Sequence, residues 1–191
     1  MSRPHLGVIV GSTREGRFSE RMAHWIVGHA QDAFEVELLD LRDFALPFFE
    51  EAHAPMMTAP THPVARAWAA KLAACDAFIA TVAEYNRGPT AVLKNAIDYA
   101  YAEWARKPIG FVGYGGVGAA RAVEQLRLVA IEVQMAPIRT GIHLAGADYF
   151  SVLHGKSSLE DMPHLTRTAR DLITQLRWWT DALKAGRENA S

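Results

Sequence analysis

Glycine, hydroxyl and arginine residues crowd one short stretch of this chain. Gly11-Ser12-Thr13-Arg14 follows the apolar run Leu6, Val8, Ile9 and Val10, and Arg17 and Ser19 come next. A strand that breaks into a tight turn and then a helix aims backbone N–H groups and a helix N-terminus at an anion. Ser12, Thr13 and Ser19 can donate hydroxyl hydrogen bonds, and Arg14 and Arg17 add guanidinium forks suited to phosphate oxygens. That is the chemistry of a phosphate cradle. Any strand-to-helix turn can carry Gly for the turn and Ser for the cap, so the loop alone does not decide it. It contains neither G-x-x-x-x-G-K-[ST] nor G-x-G-x-x-G, which favours a monophosphate over a triphosphate with magnesium or a dinucleotide.

A second candidate stretch is Glu84-Tyr85-Asn86-Arg87-Gly88-Pro89, a turn sequence after an apolar run. Tyr85 is an amphipathic ring suited to stacking or hydrogen bonding on a flat ligand, while Asn86 and Gly88 tolerate turn dihedrals. A third is Gly113-Tyr114-Gly115-Gly116-Val117-Gly118, which does match G-x-G-x-x-G. It fails as a dinucleotide fingerprint on context. About 73 residues follow it, enough for one more strand and helix. The acidic residue expected about 20 positions on falls within or at the end of a helix, at Glu132. The glycines are better read as allowing close backbone approach to a flat ligand.

Other chemistries lack their residues. The eight histidines show no H-E-x-x-H or close ligand spacing, so no metal site is expected. G-x-S-x-G is absent. Cys75 is the one cysteine, which rules out an internal disulfide. No side-chain constellation for acid–base or nucleophilic catalysis emerges, and no side chain is assigned a catalytic role.

The elements that must position these turns follow from periodicity. Strands are expected at Leu6–Val10, Phe34–Leu41, Asp76–Ala83, Pro108–Val112 and Ala136–Leu144. Helices are expected from near Gly16 to Ala30 and over Val64–Ala74, Thr90–Trp104, Ala119–Glu132 and Glu160–Lys184. This alternation predicts an α/β, doubly wound, five-stranded parallel sheet of order 2-1-3-4-5, with a ligand beyond the carboxyl ends of strands one and three. The turns after strands one, three and four all lie on that edge. The segment from Arg42 to Pro63, with Phe44, Phe48, Phe49, Met56 and Met57, is too apolar to lie free in water and reads as a subunit contact or substrate rim. Trp178 and Trp179 cannot both face one core stripe, so one is expected to face a partner.

At 191 residues the chain is read as one domain, 1–191, with a polar, disordered tail over 186–191. A net charge of -1 and a pI near 6.7 exclude nucleic acid and anionic membranes as expected partners. No apolar stretch nears the roughly 20 residues needed to span a bilayer, and the N-terminal run is too short for a signal peptide; a cytoplasmic location is expected.

With these turns in view, the chain resembles the NADPH-dependent FMN reductase family, flavodoxin-like flavoproteins that reduce quinones, azo compounds, free flavin or metal oxyanions. Gly11-Ser12-Thr13-Arg14 with Ser19 resembles the family's G-S-x-R phosphate loop. Glu84-Tyr85-Asn86 and Leu93-Lys94-Asn95-Ala96-Ile97-Asp98 resemble its E-Y-N…L-K-N-A-I-D segment, and Tyr114-Gly115-Gly116 its S-Y-G-G turn. The resemblance implies that Ser12, Arg14 and Ser19 hold the FMN phosphate. It also implies that Glu84, Tyr85 and Asn86 flank ribityl and ring, and that Gly115 and Gly116 border the ring. Pro89 stands one position earlier than the family's proline, and Gly113 replaces a common serine.

The function expected is therefore an FMN-dependent oxidoreductase that takes electrons from NADPH or NADH and passes them to a small acceptor by a ping-pong mechanism. The alternatives are a flavodoxin-type electron carrier, whose usual strong acidity is missing here, and a flavin-binding sensor without nicotinamide turnover. A homodimer is expected, with a tetramer as the other assembly.

Overall fold

The computed structural model describes residues 3–189. In chain order the elements are β1 (His5–Val10), α1 (Ser19–Ala30), β2 (Glu35–Asp40), α2 (Pro63–Ala74), β3 (Ala77–Tyr85), β4 (Gly88–Pro89) and α3 (Ala91–Asp98). They continue with β5 (Pro108–Gly115), α4 (Ala120–Glu132), β6 (Ala136–Pro137), β7 (Ile142–Ala145), α5 (Gly146–Leu153) and α6 (Pro163–Glu188). The sheet runs β2-β1-β3-β5-β6, parallel along that path. Counted by strand position this is the order 2-1-3-4-5 that the sequence pattern predicts.

Alternation along the strands divides the core between two layers. Leu6, Val8 and Val10 of β1 pack with Met22 and Ile26 of α1 and with Leu172 and Leu176 of α6. Ile9 faces the other way, into a layer with Trp68 and Leu72 of α2, Ile97 of α3 and Leu126 of α4. Burial on both faces explains why β1 reads as a continuous apolar run rather than an alternating one. β2, at the edge, is the least covered of the long strands, with a single fully buried residue, Leu39. Cys75 is a small buried residue just before β3, and desolvation pushes its thiol up to about 11, which makes it unreactive.

The largest departures from the sequence pattern are four. The fifth strand divides into β6 and β7, because Pro137 has no N–H and Arg127 takes the carbonyls of Ile138 and Arg139 at 2.7 and 3.0 Å. α3 stops at Asp98 rather than Trp104, because Trp104 folds back into the core and its indole donates to Ile97 O at 3.1 Å. A helix absent from the pattern, α5, follows β7 directly. α6 continues through Gly186 to Glu188 instead of giving way to a disordered tail at 186; residues 190 and 191 of that expected tail lie outside the described residues.

Candidate functional site

β1, β3 and β5 end side by side, and their turns enclose a cleft of about 390 Å³. Arg14, Gly16, Arg17 and Phe18 line it from the first turn; Ala83, Glu84 and Tyr85 from β3; Tyr114, Gly115 and Gly116 from β5. Tyr149 and Leu153 of α5 close its remaining side.

The first turn is held by chemistry that only glycine allows. A Cβ on Gly11 would lie 2.1 Å from Thr81 O, so the loop crosses β3 too closely for any side chain. Thr81 Oγ1 accepts from Gly11 N at 3.0 Å, and Thr90, the N-cap of α3, donates its hydroxyl to Gly11 O at 2.5 Å. Beyond that point the side chains separate by task. Ser12 is buried and shares a 3.0 Å hydrogen bond with the Tyr85 hydroxyl. Arg14 is exposed, and its guanidinium has no protein partner among the described residues. Ser19 is fully buried at the start of α1, beside the Tyr114 phenol, yet its Oγ completes no hydrogen bond of ordinary geometry.

Arg17, whose role the sequence leaves open, is nearly covered. Both its Nη atoms reach the Asp40 carboxylate, and Nη1 also donates to Ser12 O at 2.9 Å. Burial pushes the Asp40 carboxyl up, but the Arg17 fork and the Arg42 amide outweigh it and hold it below the usual range. Arg17 Nε remains buried and unpartnered.

The second turn is a hairpin. β4 folds back antiparallel on β3, pairing Tyr85 with Gly88 and Glu84 with Pro89. Asn86 and Arg87 between them take φ of 51° and 72°, the left-handed conformation that a tight hairpin turn requires. Asn86 sits exposed at this apex and is not among the cleft-lining residues. Glu84 borders the cleft, but its carboxylate is directed to the start of α4. There it accepts from the amides of Arg121 and Ala122 at 3.1 and 3.3 Å and from Arg121 Nε at 2.6 Å. Ala119 stands at the N-cap of α4 and has no side-chain acceptor, so Glu84 supplies the cap from β3. Burial raises the Glu84 pKa, but these donors outweigh it and leave it lowered.

At the third turn, a Cβ on Gly115 or Gly116 would meet nothing within 4 Å, so both face open space. Gly113 is different. A Cβ there would lie 2.2 Å from Gly118 O, which explains the glycine in place of serine by packing within the turn. Phe18, Tyr114 and Tyr149 form an aromatic cluster at the cleft, with Phe18 centroids 5.3 and 5.2 Å from the two tyrosines. Desolvation pushes the Tyr114 phenol up to about 12 against a smaller opposing pull from Ser19, so Tyr114 is a neutral hydrogen-bonding group at physiological pH. The sequence reading missed Gly16, Phe18, Ala83, Tyr149 and Leu153. The last two had no signal to find them, since they come from the unforeseen α5.

The arrangement offers unpaired donors on one side, an open glycine floor on another and aromatic rings between. Comparison with known proteins gives the same direction. Residues 4–149 match the family model described as NADPH-dependent FMN reductase. An NAD(P)H-dependent FMN reductase of Schizosaccharomyces pombe is 35% identical over 147 residues, covering 74% of each chain. A 2-hydroxy-1,4-benzoquinone reductase of a Burkholderia species is 31% identical over 129 residues, covering 64% of this chain and 67% of its own. Among solved structures, a flavoenzyme NAD(P)H:(acceptor) oxidoreductase from Paracoccus denitrificans superposes with a TM-score of 0.75 at 21% identity, covering 94% of this chain and 98% of that one.

Proposed function

The chain belongs to the NADPH-dependent FMN reductase family, and from that premise we propose that it is an FMN-dependent NAD(P)H oxidoreductase acting on a small acceptor of the quinone class. The observation that carries the reading is the set of donors left without protein acceptors at the strand ends. These are the Arg14 guanidinium and Arg17 Nε, both on cleft-lining residues of the first turn, with Ser19 Oγ close behind them at the start of α1, beside the Tyr114 phenol. A flavin mononucleotide also suits the opposite side, where Gly115 and Gly116 present backbone to empty space. When bound, FMN supplies the redox centre; the protein supplies binding and orientation.

In this reading Ser12, Arg14 and Ser19 hold the phosphate, with Ser12 oriented by Tyr85. Tyr85 and the Glu84 backbone flank the ribityl and ring, Asn86 shapes the hairpin that presents Tyr85, and Gly115 and Gly116 border the ring. Nicotinamide and acceptor would use the one cleft in turn, which gives ping-pong kinetics. The test is direct: the purified protein should be yellow and release FMN, and it should oxidise NAD(P)H with a quinone. Double-reciprocal plots at several quinone concentrations should be parallel. A flavin-loaded protein with no NAD(P)H turnover would instead be an electron carrier or sensor.

A homodimer is the assembly we infer. Phe48 is 78% exposed, Met57 72% and Trp178 65%, apolar side chains that a second copy would cover. Sedimentation equilibrium should give twice the chain mass. No helix among the described residues is long and apolar enough to cross a membrane. A cytoplasmic location is proposed with it, to be checked by cell fractionation.

A further inference from the structure

All three carbonyls of the loop at residues 12–14 accept from arginine side chains, and Arg14 O accepts the Arg17 amide as well, at 3.2 Å. Arg17 Nη1 donates to Ser12 O at 2.9 Å. Arg42 Nε and Nη2 both reach Thr13 O at 3.2 Å, and Nη2 reaches Arg14 O at 2.7 Å. Arg42 is not a cleft residue; it lies on the outer side, beside Thr13 and Leu41. Both arginines converge on Asp40, whose carboxylate takes the Arg17 fork and accepts from the Arg42 amide at 2.9 Å. The β1–β2 register sets this up by placing Asp40 opposite Val10, the last strand residue before the loop.

In a planar trans peptide the C=O of one residue and the N–H of the next point in opposite directions. Carbonyls of residues 12, 13 and 14 fixed towards β2 therefore turn the amides of 13, 14 and 15 away from it. Of these, Arg14 N makes a long 3.4 Å contact to Ser12 Oγ, while Thr13 N and Glu15 N donate to no acceptor among the described residues. Gly16 N and Phe18 N are likewise without an acceptor there.

We propose that Asp40 is the positioning residue of the phosphate loop: through Arg17 and Arg42 it locks the loop carbonyls outward and so presets the amides of Thr13 and Glu15 for a phosphate before any ligand arrives. The proposal rests on the cleft being an FMN site. It assigns to Arg42 a share in ligand affinity although its side chain lies outside the cleft. It also makes the effect specific to the phosphate, since the ring and ribityl contacts come from the other two turns.

The experiment titrates FMN and riboflavin into the flavin-free protein by quenching of flavin fluorescence, alongside thermal melts. Asp40→Asn keeps the shape but loses the charge that holds the Arg17 fork, and FMN affinity should fall roughly 10-fold or more as preorganisation is lost. Riboflavin affinity should stay as in the unmutated protein. Arg42→Gln should act in the same direction. Arg42→Lys keeps the charge but cannot span two carbonyls with a planar fork, so it should remain weakened. Unchanged FMN affinity in folded Asp40→Asn would overturn the proposal, and so would an equal loss for FMN and riboflavin. Recovery of full affinity in Arg42→Lys would also overturn it, by showing that long-range charge was the cause. If Asp40→Asn fails to fold, the exposed Arg42 pair decides alone. An unmutated protein that binds riboflavin as tightly as FMN would defeat the reading of the cleft itself, and that outcome is visible before any variant is made.

Discussion

Arg14 and Arg17 carry the same head group three residues apart and do opposite work. Arg17 is withdrawn into an ion pair with Asp40, whereas Arg14 extends unpartnered from the rim. Arg14→Ala should therefore remove one charge-assisted bond to a phosphate, worth about 1.5–3 kcal/mol, and weaken FMN binding roughly 10- to 150-fold. The melting temperature should not move, because no contact within the protein is lost; isothermal titration and a melt on the same sample check both halves. At the third turn, Gly116 is the cleaner probe of close approach. Gly115 has a φ of 126°, so valine there would be strained whatever space it found. Gly116→Val should lower flavin occupancy with the circular dichroism unchanged, and full occupancy would show that no ligand comes near. Residue types at these turns were legible because glycine, hydroxyls and arginine state their local chemistry. Asp40 was not, because its role depends on strand register.

Helix α4 shows what reading elements one at a time leaves out. Its existence over Ala120–Glu132 was evident from periodicity, but its start at Ala119 offers no acceptor, and the missing cap comes from Glu84 across the sheet. A capping residue sought within the helix's own sequence could not be found there. The sequence likewise joined β6 and β7 into one strand, since nothing in the pattern shows Arg127 drawing off the intervening carbonyls. Glu84→Gln should cost about 1–2 kcal/mol through the weakened cap. The loss should appear as faster amide exchange at Arg121 and Ala122 in the first turn of α4, with the far end of the helix unaffected.

For the molecule as a whole, two buried groups shape the alkaline limb of stability in opposite senses. Lys107 is buried with its Nζ donating to Leu72 O and Ala73 O, and desolvation holds its pKa down at about 8 against 10.5. Between those values the unfolded chain keeps a proton that the folded one has released, so stability rises with pH, by up to about 3 kcal/mol. Tyr114, pushed up to about 12, contributes stability that is complete below pH 10 and is lost as pH rises towards 12. Urea midpoints taken from pH 7 to 11 should climb and then fall. Lys107→Met should flatten the climb and leave the fall.

The edge strand carries a further consequence, for solubility rather than for binding. β2 pairs on one side only, so its outer row of amide and carbonyl groups can template another chain. Leu38 is exposed there between Glu37 and the buried Leu39, and Glu37 is tied to Lys71 of α2 in an exposed pair. Such a pair contributes little to folding, at most about 1 kcal/mol. The pair's two charged head groups would still have to be desolvated before a second strand could dock along that edge. Glu37→Val should thus leave the melting temperature nearly unchanged while light scattering of a concentrated sample grows with time. Aggregation would then begin from the native fold, without prior unfolding.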